Sequence, residues 1–375
     1  MQNRSFASTW VEAQDDGIPM EIKKIQDVDA KNKRVLLRVD FNAGIEGGDA
    51  KEAFKIEAAK ETVEYLLEKG AKVALLSHLG RPAAVKTLAG KPDGKIDSEF
   101  SLMQLADDVE RALGIKVKFV DDCIGEKVKS GIEESASGEV LLLENVRFYA
   151  GDESNDEEFS KKLAENFDIF VNDAFSVCHR DQASVTGITK YLPSFSGLWL
   201  QKEITGMEKV KNNFERPAIA IIGGAKIETK LPVIKFFEGI YDNVLVGGKI
   251  ANEAIDQEIK FSEKVVLPED YVDDRMDIGP KTIEKFREII LGAKTIVWNG
   301  PLGKFEEEKY SIGSQEILRA IIDSGAYTLV GGGETLEILE KNDALNKISF
   351  VSTGGGAMLE YLGGEKMPGI EALEN

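Results

Sequence analysis

Cysteine and histidine are almost absent from this sequence. In 375 residues there are two of each: Cys123, Cys178, His78 and His179. Two cysteines make neither a disulfide framework nor a zinc site, so a reducing, cytoplasmic setting is the simplest reading. Long apolar runs are missing too. None approaches the roughly 18 residues needed to span a bilayer, and the first 20 residues, polar and mixed in charge, do not read as a secretory signal. Positive charge is scarce, with 47 Lys and Arg against 66 Asp and Glu and a net charge of −19. That excludes a basic nucleic-acid surface. It also makes any local gathering of cations informative, because such a group holds its place against the overall field. No serine triad or Cys/His metal cluster is present. Cys178 precedes His179, but neighbours on an extended chain point to opposite faces, so Cys178 reads as a buried structural residue. A nicotinamide-dependent dehydrogenase would need G-x-G-x-x-G after a strand, and a P-loop kinase G-x-x-x-x-G-K-[ST]; neither motif occurs.

What is present is ample core and regular alternation. Hydrophobic residues make up 42% and charged residues 30%, and the length predicts two domains of ordinary size. The first ~17 residues lack periodicity and read as a frayed extension. From near Lys33 strand and helix patterns alternate almost to the end, which predicts an α/β fold: two doubly wound parallel-sheet domains joined by a hinge helix. The first-half strands are read at Arg34–Val39, Lys72–Leu76, Lys116–Val120, Glu139–Leu143 and Ile169–Val171. Glu52–Lys69 reads as one helix with an apolar stripe of Phe54, Ala58, Val63, Leu66 and Leu67, stopped by Gly70. The expected division is residues 1–190, a joining helix at 191–206 (no strand pattern appears in it), residues 207–356, and a tail at 357–375 packing back towards the first domain. The acidic run Gly151–Glu158 reads as a solvated loop and helix start.

In the second half a short β-branched run stops at a glycine-rich turn five times. The turns are Gly223-Gly224-Ala225-Lys226, Gly247-Gly248-Lys249, Asn299-Gly300-Pro301-Leu302-Gly303, Gly331-Gly332-Gly333 and Gly354-Gly355-Gly356, and they hold 12 of the 36 glycines. In a parallel sheet these turns lie along the carboxyl edge, where ligands bind. Glycine there lets backbone N–H groups approach an anion, and five such turns point to an extended phosphorylated ligand. Lys226 and Lys230 share a helix face on that edge. In the first half, strands end in charged groups instead: Asp40-Phe41-Asn42, Ser77-His78-Leu79-Gly80-Arg81, Glu144-Asn145-Val146-Arg147 and Asn172-Asp173 followed by His179-Arg180. Three arginines and two histidines on one edge suit a compact polyanion, since guanidinium grips phosphate and carboxylate bidentately. Asp40 and Asn42 are suited to hydroxyls. Two anion sites without an activated nucleophile fit direct phosphoryl transfer, where catalysis is positioning and charge neutralisation.

These motifs carry a resemblance. Together with Arg38-Val39-Asp40-Phe41-Asn42, Val297-Trp298-Asn299-Gly300-Pro301 and Ser352-Thr353-Gly354-Gly355-Gly356, they make the chain resemble the phosphoglycerate kinase family from about Lys33 to Leu373. The resemblance implies reversible, Mg2+-dependent phosphoryl transfer between 1,3-bisphosphoglycerate and ADP, after a hinge closure, by a cytoplasmic monomer. It implies that Asp40, Asn42, Lys55, His78, Arg81, Arg147 and Arg180 bind 3-phosphoglycerate in the first domain. Gly223, Gly224, Lys226, Lys230, Asn299, Pro301, Glu306, Gly331, Gly332, Gly333, Glu334 and Thr335 would bind the nucleotide in the second, with Glu334 facing its magnesium. Lys55, Lys230, Gly332 and Gly355 would serve the transferring phosphoryl group, the Gly354–Gly356 turn placing a helix N-terminus there.

The sequence departs from the family pattern at Lys55, where the family has arginine, and at Glu334, where it has aspartate. Lysine keeps the charge but loses the planar fork, which bears on turnover more than on binding. A weakly active family member that binds nucleotide and phosphoglycerate is the alternative these two residues support. Ala43-Gly44 replaces the usual Val-Pro, the stretch from Asp49 to Phe54 is brief, and Lys249 stands where a small residue is common.

Overall fold

The computed structural model describes residues 22–46, 49–50, 53–82 and 97–374; the frayed start expected of the chain lies outside them. The described residues divide into two compact units. One runs to Lys202 and includes the segment from Met367 onward; the other is Glu203–Lys366.

The first unit is built on a six-stranded parallel sheet. In order across it the strands are Val117–Val120, Val140–Leu143, Lys72–Leu76, Arg34–Arg38, Ile169–Asn172 and Ser194–Ser196. Central strands buried on both faces must be apolar throughout, and Val35, Leu36 and Leu37 are each fully buried. Period-two alternation sends Val35 and Leu37 to one core, with Ile56, Val63, Leu66 and Val109. Leu36 goes to the other, with Leu141, Phe170, Val128 and Leu163. The helix expected over Glu52–Lys69 is two, Ala53–Ala58 and Lys60–Glu68, and Gly70 ends the second at φ 77°.

The joining segment corrects the reading of its sequence. Residues 191–206 are not one helix: Ser194–Ser196 is an edge strand paired with Ile169–Asn172, and the helix is Leu198–Lys211. Three residues behind a proline are too few to show alternation. The helix begins at Leu198 because its first N–H groups find partners there. Leu198 N–H donates to Thr62 Oγ1 at 2.9 Å and Leu200 N–H to Asp173 Oδ1 at 2.9 Å, which satisfies donors that every helix start leaves open. The chain passes from one unit to the other inside this helix. The tail boundary shifts too. Gly356–Leu362 is a helix of the second unit. From Met367 on, the chain returns to the first: Gly369 N–H donates to Cys178 O and Lys23 N–H to Leu373 O, both at 2.9 Å.

The second unit has its own six-stranded parallel sheet. The order is Val265–Val266, Asn243–Val246, Ala218–Ile222, Thr295–Asn299, Tyr327–Gly331 and Phe350–Ser352. The two-residue Val265–Val266 strand has no legible sequence pattern. Chain order reverses between Ala218–Ile222 and Thr295–Asn299, and a doubly wound sheet opens a crevice at such a point. Register makes this edge sharp. Ile222 pairs with Asn299, Asn299 with Gly331, and Gly331 with Ser352, so four strands end in line. Among the described residues no helix is long and apolar enough to cross a membrane.

Candidate functional site

At the switch point of the second unit lies a cleft of about 940 Å3. Gly224, Lys226, Lys230, Asn299, Gly332, Gly333, Glu334, Thr335, Gly355 and Gly356 line it. The glycines divide into two kinds. Gly223, Gly248 and Gly300 lock three turns together: a Cβ on Gly223 would lie 2.1 Å from Pro301 O, one on Gly248 2.7 Å from the same oxygen, and one on Gly300 2.4 Å from Gly223 C. Gly223 N–H donates to Asn299 O at 2.8 Å and Gly224 N–H to Pro301 O at 2.7 Å. Gly355 and Gly356, by contrast, face open space. These two fit the expectation that glycine admits a ligand to the backbone without also serving turn-to-turn packing.

Lys226 sits at φ 70°, just before the Ile227–Ile240 helix. The first N–H of that helix, on Ile227, is taken by Glu253 Oε2 at 2.7 Å. One turn on, Lys230 Nζ donates to Asn299 Oδ1, and Asn299 Nδ2 donates to Gly331 O at 2.7 Å, which fixes the orientation of the amide. Burial lowers the Lys230 pKa to about 8, against the opposing charge of Glu334. Glu334 is exposed on the cleft wall. Its pKa is raised first by burial and then by Glu306, while Lys230 pulls it down.

Four residues expected at the nucleotide do not line this cleft. Gly223 and Gly331 are spent on packing and strand pairing. Pro301 is buried, with its carbonyl bound to Gly224 N–H. Glu306 is exposed beside a separate recess of about 210 Å3, with Phe305, Ser311 and Lys341. Thr335 does line the cleft, but its Oγ1 accepts from Gly300 N–H at 2.7 Å; it holds the turn. Leu359, from the Gly356–Leu362 helix, and Gly363, which caps it, also line the wall; the expected boundary at residue 356 had cut both away.

The first unit gathers the expected cations, but around a residue the sequence reading left in a motif without a role. Arg38 ends its strand only 1% exposed. Its Nη1 donates to Val39 O and Leu76 O, and its Nη2 meets His78 Nδ1 at 3.1 Å. Burial and the charges of Arg38, Arg147, Arg180 and Lys55 drive the His78 pKa well down. The imidazole is therefore neutral and Nδ1 accepts from Arg38. Arg147 is buried, with Nη1 donating to Gly80 O at 2.6 Å; burial and then Arg180 and Arg38 lower its pKa to about 10. Arg180 Nε meets His179 Nε2 at 3.0 Å, and burial and the Arg180 charge hold His179 neutral, near 4. Asn42 ties the loops: its Oδ1 accepts from Gly80 N–H at 2.8 Å and its carbonyl from Lys55 Nζ at 3.2 Å. Asp40 Oδ1 accepts from Asn42 N–H at 3.0 Å. Asp40, Asn42, Lys55, His78, Arg147 and Arg180 thus come together, while Arg81 is exposed beside Gly80. Glu144 and Asn145 are structural: Glu144 accepts from Ser101 Oγ and Leu102 N–H, and Asn145 Nδ2 donates to Leu79 O and Phe100 O.

Two features escaped the sequence. A charged residue ending a wholly apolar buried strand was the available signal for Arg38. Asp152 is the exception in Gly151–Glu158: Glu153, Glu157 and Glu158 are exposed and Asp156 caps a helix start, as read, but Asp152 is 0% exposed and accepts from Ser184 N–H at 3.0 Å. Nothing in an acidic run marks which carboxylate turns inward. Among the described residues no group of three or more His, Cys, Asp or Glu is placed to hold a metal, and both cysteines are buried and form no disulfide.

The phosphoglycerate kinase family model matches residues 25–270 and 253–365. The phosphoglycerate kinase of Borrelia garinii subsp. bavariensis is 38% identical, over 95% of this chain and 100% of its own length. That of Moorella thermoacetica is also 38% identical, over 93% and 98%. Among solved structures, phosphoglycerate kinase from Pyrococcus horikoshii OT3 superposes with a TM-score of 0.81 at 31% identity, covering 94% of this chain and 98% of its own. That from Coxiella burnetii gives 0.77 at 32%, with the same coverage. With this identity spread over both units, the chain belongs to the phosphoglycerate kinase family.

Proposed function

We propose that the chain catalyses reversible phosphoryl transfer between 1,3-bisphosphoglycerate and ADP, giving 3-phosphoglycerate and ATP. One observation carries this beyond family membership. Each unit gathers cations at the carboxyl edge of its sheet, and among the described residues neither group contains an activated nucleophile. In the ATP-consuming direction a 3-phosphoglycerate carboxylate oxygen attacks the γ-phosphorus, and the bond from that phosphorus to the β,γ-bridging oxygen breaks. The carboxylate is already ionised at neutral pH, so no general base is needed, and the protein's work is alignment and charge neutralisation.

Asp40, Asn42, His78, Arg81, Arg147 and Arg180 are the proposed phosphoglycerate site; the convergence of all but Arg81 supports it. Lys226 and Lys230 are assigned to the nucleotide phosphates, Gly332 and Gly355 to backbone contacts with the phosphoryl group, and Asn299, Pro301 and Glu306 to the adenosine end. Lys55 stands in for the family's arginine and carries one cationic share of the transferred charge. A magnesium ion borne by the nucleotide fits this chain: Glu334 offers a hard, exposed carboxylate on the cleft wall, and Mg2+ keeps most of its water and phosphate ligands rather than seeking a protein cage. When bound, the ion supplies charge neutralisation between the phosphates. Domain limits near residues 202 and 366 and a reducing compartment, fitting the free cysteines, complete the proposal.

The test is steady-state turnover with Mg·ATP and 3-phosphoglycerate, coupled to reductive removal of the product. Turnover in the usual kinase range is expected. Binding of both ligands without turnover would reduce the chain to a binding protein and make Lys55→Arg the next variant.

A further inference from the structure

The Gly356–Leu362 helix has two faces. Gly356, Leu359, Glu360 and, just past its end, Gly363 line the cleft, at the spacing that puts residues on one side of a helix. Ala357, Met358, Tyr361 and Leu362 are its buried residues, and of these four only Tyr361 brings a polar side-chain group inside. Its hydroxyl donates to Glu208 Oε1, and Glu208 Oε2 accepts from Asn212 Nδ2 at 2.6 Å. Glu208 is 6% exposed, so a carboxylate has been taken out of water to receive this hydroxyl. The backbone of the same residue is held as well: Lys211 Nζ donates to Tyr361 O at 2.7 Å, and the ammonium stands 4.7 Å from the centre of the Tyr361 ring. That carbonyl is among the last four of the helix, which have no partner within it, and a cation there also meets the negative end of the helix dipole. Glu208 and Lys211 both come from the last turn of the Leu198–Lys211 helix.

A helix of two turns is not stable by itself. Apolar burial holds one of its faces but is non-directional, so it does not fix how far the helix slides or rotates. A hydrogen bond to a carboxylate is short and directional, and leaving it unmade strands a buried acceptor. Holding Tyr361 by its hydroxyl and by its carbonyl fixes both the rotation and the height of the helix. We propose that Tyr361 is a positioning residue for the cleft: with Glu208 and Lys211 it keeps the Gly356–Leu362 helix at the setting in which the Gly355–Gly356 end stays open to ligand phosphates. The inference rests on this cleft being the nucleotide site. Tyr361 is not among the residues lining the cleft, so it acts through the helix and not by contact with the ligand.

The experiment is calorimetric titration of wild type, Tyr361→Phe and Tyr241→Phe with Mg·ADP and, separately, with 3-phosphoglycerate, alongside thermal unfolding without ligand. Tyr241 is the control. Its hydroxyl is also buried and donates to Val210 O at 2.6 Å, on the same Leu198–Lys211 helix, but it does not belong to the helix that lines the cleft. Each substitution removes one buried hydrogen bond and leaves the net charge unchanged. Both variants are expected to melt below wild type. Tyr361→Phe should raise the Mg·ADP Kd about threefold to tenfold, the range set by one hydrogen bond, with 3-phosphoglycerate within about twofold. Tyr241→Phe should leave both affinities within about twofold. A merely structural role would lower the melting point of Tyr361→Phe and leave its Mg·ADP affinity unchanged, and that result would overturn the inference, as would equal weakening in Tyr241→Phe. If the wild-type protein fails to bind Mg·ADP, the assignment of the cleft falls and takes the inference with it. Should Tyr361→Phe not be recovered in folded form, Lys211→Met decides the matter. Mg·ADP binding weakened about threefold or more, with 3-phosphoglycerate unaffected, would support the grip on Tyr361, and Mg·ADP affinity within about twofold of wild type would overturn it.

Discussion

Lys230 shows at single-residue scale how position tunes chemistry. Its ammonium is largely removed from water and tied to Asn299, and its pKa falls to about 8. The cation is the form that meets a phosphate. Because burial lowers the pKa, the protonated fraction is full below about pH 7 and is lost as pH rises through about 8. The parameter kcat/KM for the nucleotide reports the free enzyme, so it is expected to fall above about pH 8, and Lys230→Met is expected to abolish that limb. A pH profile in which both proteins fall together would assign the limb elsewhere. At neutral pH, Lys230→Met should lower kcat more than it raises KM relative to wild type, since the charge develops in the transition state.

At the scale of elements, turns that look alike in sequence do different work. Gly223 has Pro301 O where a Cβ would go, whereas Gly356 has nothing within 4 Å. Gly223→Ala is expected to cost about 2 to 4 kcal/mol of stability in urea unfolding, as overpacking against backbone does. Gly356→Ala should leave stability within about 1 kcal/mol yet weaken Mg·ADP binding several-fold, because the methyl group enters the ligand's space. Equal stability losses would refute the division. The Leu198–Lys211 helix gives a second element-scale test. Asp173 lies at its N-terminal end, and burial, the dominant cause, raises its pKa to about 7 despite hydrogen bonds from Thr62, Leu200 and Trp199. The unfolded carboxyl titrates near 3.8. Between these values the folded protein holds more protons than the unfolded chain, so this group's contribution to stability falls as pH rises from about 4 to about 7 and is constant above. Compared with Asp173→Asn, wild type is expected to lose unfolding free energy across that window, read by urea melts at pH 5 and pH 8. Parallel pH dependence in the two proteins would contradict the shift.

For the whole molecule, the two constellations belong to separate units, each with its own sheet and core. Arg147→Ala is therefore expected to weaken 3-phosphoglycerate binding by about tenfold or more while leaving Mg·ATP within about twofold, measured by calorimetry. Comparable losses for both ligands would undo the assignment of one anion to each unit. With a net charge of −19, cations gathered at two sheet edges are held against the overall field.

The sequence by itself determined the class of fold, the two-sheet organisation, the glycine edge and most of the basic edge. These follow from local patterns: apolar strand runs, glycine after a strand, and charge at a strand's end. It missed what depends on residues distant along the chain. Ser194–Ser196 is a strand only because Ile169–Asn172 offers it an edge, and the helix after it begins where Thr62 and Asp173 supply partners. Gly356–Leu362 lines the cleft of the second unit through packing that no spacing announces. Gly223 and Gly300 are glycines because two turns collide, not because a phosphate arrives. Asp152 lies in an acidic run like any other, and only its tertiary burial, with Ser184 N–H as donor, distinguishes it. Local pattern records which backbone state a segment prefers. Which side chains are removed from water, and beside which charges, is decided when the sheets close over their cores.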